Sequence, residues 1–213
     1  MYLKEMAMYI SLANLFLFWF SVLLLAVTPG VDVVLIASQS MVAQKNGILA
    51  TLGTTTGISI YILLTILGLS VVLQHSVVLY SIIKFSGAAY LLYLAYGLFK
   101  SDGQINSKIT IKQISAFESY KKGLYTNLLN PKIGIFFITF LPQFVNPKNG
   151  HENIQLLILG VSFMLIGGSV NLCYSSLFFH FKEKLFKKIA FMKVFNKVVA
   201  VLFCIMALKV VIG

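Results

Sequence analysis

One carboxylate and one ammonium group stand in the middle of oily sequence. Asp32 lies in AVTPGVDVVLIAS and Lys132 in LLNPKIGIFFITF. Each follows a proline closely, Pro29 and Pro131, and those prolines are 102 residues apart. An ionisable side chain at bilayer depth is costly and marks a functional site by default. Asp32 can dock a substrate's ammonium group, carry a proton that is taken up and released, or pair with a cation such as Lys132. Lys132 can meet a carboxylate, that of Asp32 or of a substrate, or line an aqueous vestibule. Thr28, Asn127, Asn130 and Asn171 are polar residues fit to line the same pocket or to hydrogen-bond between helices.

The prolines explain why these groups are tolerated. Proline lacks an N–H donor, clashes with the carbonyl four residues back and leaves it without a helical partner. Gly30 adds backbone freedom and lets another helix come close. Freed backbone groups in lipid are expensive, so a broken helix belongs where protein or an aqueous cavity surrounds it. TPG at 28–30 and NPK at 130–132 are therefore expected to face the interior of a bundle. Enzyme chemistry has no foothold: GxSxG, HExxH, phosphate-loop and paired-carboxylate motifs are all missing. The three histidines are scattered, and Cys173 and Cys204 sit in apolar surroundings without metal-ligand spacing. Neither a cofactor nor a metal is expected.

The elements that must hold these residues follow from composition. Of 213 residues, 59% are hydrophobic and 11% charged, against roughly 25% charged in a soluble domain. Too little polar material is present to coat a globule, so the outer surface must meet lipid. Seventeen lysines, no arginine and six acids give a net charge of +11. The lysines fall mostly between hydrophobic blocks, a topology signal and not a nucleic-acid patch. Lys84, Lys197 and Lys209 lie near span ends, where snorkelling is cheap.

With about 20 apolar residues per membrane helix, six spans are expected, near 11–41, 48–73, 77–99, 122–141, 154–179 and 194–212. Asp32 is the one acid within them. The chain reads as an all-α polytopic membrane protein forming a single transmembrane domain over 1–213. A first half covers 11–99, a cytoplasmic loop 100–121 and a second half 122–212. The amino terminus has a weak positive region and no small-x-small cleavage site, so the first span is read as retained.

Lysine-rich stretches at 100–122 and 181–193 face the cytoplasm by the positive-inside rule, which puts both termini outside. Treating residues 30–43 as a re-entrant piece would move the amino terminus inside. Residues 181–193 read equally as an amphipathic surface segment or a plain charged linker. Glycines 47, 53, 57, 68 and 87 read as close-packing positions. Each proline-broken run precedes a span rich in small residues, and three spans per half invert the second half. That is the layout of a 3+3 inverted repeat, with broken helices 1 and 4 meeting near mid-membrane around a substrate.

Four blocks in order, TPGVD at 28–32, QKNGILATLGTTTG at 44–57, KFSGAAYLLYLAYGLFKS at 84–101 and GLYTNLLNPKIGIFFITFLPQFV at 123–145, resemble the LysE/RhtB family of bacterial amino-acid exporters. The resemblance covers almost the whole chain. It implies a multi-pass protein of the bacterial cytoplasmic (inner) membrane that exports an amino acid by proton antiport. The family's proline-glycine motif and following Asp or Asn match Pro29, Gly30 and Asp32; its Asn-Pro-Lys matches Asn130, Pro131 and Lys132. Val31 stands where relatives often have a second proline. Expected partners are an amino acid, protons and membrane lipids, with no nucleic acid, and self-association is left open. The competing readings are a non-transporting membrane scaffold or assembly protein and a passive small-solute channel.

Overall fold

The computed structural model of the protein describes residues 10–28, 30–75, 77–100, 114–181 and 189–212. Pro29, most of the 100–121 loop and residues 182–188 lie outside the described residues. Residues 1–9 and most of the amphipathic reading of 181–193 fall there too.

Secondary structure among the described residues is helical throughout. Helix α1, Leu12–Val27, opens on Ser11, whose hydroxyl accepts from the Asn14 N–H at 3.3 Å. Helix α2, Val31–Val42, follows at a 55° bend. Extended residues flank it on both sides, Gly30 before and Ala43 after. Then come α3, Gln44–His75, and α4, Val77–Lys100. Helix α5, Ala116–Leu128, stops at the second break, and α6, Pro131–Ile135, restarts the run. A π turn at Phe136–Phe140 and 3-10 turns at Leu141–Phe144 and Pro147–Asn149 follow. The chain ends in α7, Glu152–His180, and α8, Ile189–Ile212.

Three of these elements begin earlier than hydropathy predicts. Helix α5 starts at Ala116 and not near Lys122, because Ser115 caps it by accepting from the Glu118 N–H at 3.2 Å. That S-x-x-E pattern satisfies orphan amides and sets an acid against the positive helix end. Pro131 thus lies fifteen residues past the helix start and not nine. Helices α3 and α8 likewise begin at Gln44 and Ile189, upstream of Ile48 and Val194. The gap expected between the spans 11–41 and 48–73 shrinks to Ala43.

Helix α3, over Gln44–Gly68, and α7 are each long and apolar enough to cross a bilayer, and the bent α1–α2 pair makes a third such element. The chain is an all-helical, multi-pass membrane protein. Outward faces carry exposed Leu63, Leu64 and Leu67 on α3, Phe85 and Tyr93 on α4, and Leu165 on α7, as a lipid-facing surface requires.

Helices α3 and α7 pack on each other at the centre. Helix α5 lies on α3, α1 and α2 on α7, and α4 on α8. Apolar burial alone drives little helix association in lipid, where close packing and interhelical hydrogen bonds dominate. The α3–α5 seam shows the first. A methyl at Gly53 would strike the Tyr120 carbonyl, and one at Gly123 the Ala50 carbonyl. Gly47, Gly57 and Gly87 are also close-approach positions, but Gly68 faces open space and packs nothing. Phe136 and Phe163, centroids 4.8 Å apart, anchor an aromatic core with Phe18, Phe137, Phe140 and Phe144.

Candidate functional site

Pro29 leaves the Leu25 carbonyl without its helical donor. The structure supplies one from across the bundle. Lys132 Nζ donates to Leu25 O at 2.7 Å and to Thr28 O at 3.0 Å. The Val27 carbonyl accepts from the Tyr174 hydroxyl of α7 at 2.7 Å. Thr28 turns its own hydroxyl back to Leu24 O at 2.7 Å.

The second break is closed largely from within. Asn130 caps α6 by accepting from the Lys132 N–H at 3.0 Å, and its own N–H donates to Asn127 O at 3.0 Å. One outside contact recurs in mirrored form: the Tyr61 hydroxyl of α3 donates to Leu128 O at 2.8 Å. Tyr61 and Tyr174 thus each reach from the long central helix of one half to a carbonyl beside the break in the other.

Asp32 completes the exchange. Its Oδ2 accepts from Asn127 Nδ2 at 3.3 Å and Asn130 Nδ2 at 3.1 Å. It sits in the first turn of α2, where the helix dipole favours an anion. Among the described residues, Asp32 and Lys132 form no direct ion pair; the expected alternative of a mutual pair is replaced by crossed bonds. The acid of the first break is held by amides of the second, and the lysine of the second holds carbonyls of the first. Gly30 is extended at φ −146°, a geometry open to any residue, and a Cβ there would sit 3.7 Å from Lys132 Nζ. The backbone freedom expected of Gly30 is therefore not used.

Between the breaks lies a cavity of about 40 Å³, enough for about three waters at 10–15 Å³ each. All six candidate polar residues line it: Thr28, Asp32, Asn127, Asn130, Lys132 and, from α7, Asn171. Asn171 also lies 3.5 Å from the Thr54 hydroxyl of α3. Asp32 Oδ1 and Asn127 Oδ1 are buried acceptors with no donor among the described residues. Such a group costs about 1–3 kcal/mol unless something donates to it. This chamber is shaped to receive a hydrogen-bond donor.

The chamber's two ends differ. Toward Phe163 it meets the aromatic core. Toward the C-terminal end of α2, buried Ser119 donates to Gln39 Oε1 at 3.1 Å, Ser40 to Ser175 Oγ at 3.0 Å, and Asn46 to Ile114 O at 3.0 Å. Sequence reading missed this group and both tyrosines. A polar S-Q-S run at 38–40 and mid-span tyrosines, apolar bodies with a polar tip, were the available signals. Lys197 is exposed, whereas the side chains of Lys84 and Lys209 lie outside the described residues. Cys173 is exposed and Cys204 half-buried, both as free thiols.

A family model described as LysE type translocator matches residues 23–213. YrhP of Bacillus subtilis (strain 168), named only as an uncharacterized membrane protein, is 32% identical over 84% of this chain and 89% of its own length. A homoserine/homoserine lactone efflux protein of Salmonella typhi is 30% identical over 76% of this chain and 81% of its own. A leucine efflux protein of Salmonella choleraesuis is 28% identical over 71% of each. No solved structure matches the chain.

Proposed function

The chain belongs to the LysE type translocator family, and on that premise we propose that it is a secondary transporter exporting an amino acid from the cytoplasm in exchange for protons. It acts in the bacterial inner membrane through six spans, arranged as a 3+3 inverted repeat with both termini outside. The crossed bonds of Asp32 and Lys132, echoed by Tyr61 and Tyr174, support the repeat. The observation that carries the function is the chamber between the breaks, with a carboxylate and an ammonium group on its wall.

Cargo arriving from the cytoplasm presents its own ammonium group to Asp32 Oδ1, an acceptor with no donor among the described residues. Its carboxylate takes Lys132 Nζ, displacing the two backbone carbonyls that hold it now. The positive end of α2 adds to that attraction. A carboxylate holding a proton is a poor partner for a cargo cation, and one holding the cation is less ready for a proton. Competition at Asp32 therefore exchanges one for the other, which is antiport. At about 40 Å³ the chamber is contracted, and alternating access opens it to each side in turn by moving one half against the other.

Proteoliposomes loaded with labelled amino acids test this. An outside made acidic speeds release by the wild-type protein, and Asp32→Asn abolishes that response while inserting normally. Asp32→Asn responding as wild type removes Asp32 from coupling. Release that follows the solute gradient regardless of pH identifies a passive channel, and no release of any amino acid leaves the scaffold reading.

A further inference from the structure

The walls of the chamber carry one acid, Asp32, and one base, Lys132. An amino acid's backbone consumes both, one for each end of the zwitterion. What remains carries no charge: apolar Leu25, Ile58, Ile133 and Phe163 beside the hydroxyl of Thr28 and three asparagine amides. Phe163 cannot swing away freely, since Phe136 and Phe137 pack on it at 4.8 and 5.0 Å. A second charge on the cargo would be buried here without an opposite charge to pair with, which is far costlier than a misplaced methylene.

One turn from Phe163, Gly167 lines the same chamber, and a Cβ built on it meets nothing within 4 Å. The contrast with Gly160 on the same helix is direct, because a Cβ there would press on Ile62 at 2.7 Å. Gly160 lets two helices touch, whereas Gly167 leaves room in the chamber.

We propose that the cargo is a neutral amino acid, that basic and acidic amino acids are excluded, and that Gly167, one turn from Phe163, sets the size limit for the cargo's side chain. This rests on the export reading above and narrows its substrate.

The test is competition among cargos inside one proteoliposome preparation holding alanine, leucine, lysine and glutamate together. The wild-type protein should release leucine about a hundredfold faster than lysine or glutamate. Gly167→Val should lower leucine release relative to alanine release by about tenfold, and Gly167→Ala by less. A ratio between two cargos leaving through the same protein is not altered by partial misfolding. Lysine or glutamate leaving as fast as leucine overturns the charge argument while the export reading stands. Gly167→Val and Gly167→Ala leaving the leucine-to-alanine ratio unchanged overturns the role of Gly167. Absence of any release by the wild-type protein removes the export reading and this inference together.

Discussion

The two helix breaks face one another across one small chamber, yet they are built differently. The break before α2 has glycine as its N-cap with no side-chain hydrogen bond, and the carbonyls before it depend on Lys132 and Tyr174 from the other half. The break before α6 carries its own Asn130 cap, and among the described residues its backbone takes one outside side-chain donor, Tyr61. One break is held by imported contacts, the other mostly by its own sequence. A region held by imported contacts changes shape when those contacts are taken by something else, so α2, which carries Asp32, is the piece expected to respond to cargo. The backbone of α6 is expected to hold its place.

That contrast can be broken at several points. The largest effect is expected at Lys132. Lys132→Met removes the donor to Leu25 and Thr28 and leaves Asp32 as the sole charge in the chamber. Losing one partner of a buried charge arrangement costs about 3–5 kcal/mol, so thermal unfolding in detergent should fall markedly and export should vanish. Wild-type stability in Lys132→Met would mean that the first break does not depend on the second.

Asn130→Ala should cost less, about 1–2 kcal/mol as loss of an N-cap, with Asp32 losing one of its two amide donors. Its export should drop while the α1–α2 junction stays intact, a separation that cysteine crosslinking across that junction can read. The tyrosines give the finest comparison. Tyr174→Phe should lie near the upper end of the ~0.5–1.5 kcal/mol range for one hydrogen bond, and Tyr61→Phe near the lower end. Equal losses in thermal stability would erase the difference drawn between the breaks.

Much of the site was legible because a bilayer makes polar residues informative. Asp32, Lys132, Thr28, Asn127, Asn130 and Asn171 stood out against apolar sequence, and all six line the chamber. What they bond to was not legible. A carboxylate and an ammonium group invite the thought of a salt bridge, whereas the structure gives Lys132 to backbone carbonyls, groups with no signature in a side-chain reading. The mirrored tyrosines hid among eight others, since only placement tells a braced carbonyl from a membrane-interface ring. The start of α5 was misplaced because hydropathy ignores caps: Ser115 and Glu118 spelled the helix start in residues too polar to count as a span. The π turn at 136–140 left no pattern, because its register follows from packing against Phe163 and not from local propensity.

Whether cargo passes between the breaks can be read at one position. A Gly167→Cys protein, with Cys173 and Cys204 replaced by serine, places a single thiol on the chamber wall where a Cβ has open space. A small water-soluble thiol reagent should label it, and an exported amino acid should slow that labelling several-fold, in step with its transport affinity. Labelling unchanged at cargo concentrations that saturate export would put the transport route elsewhere and contradict the account.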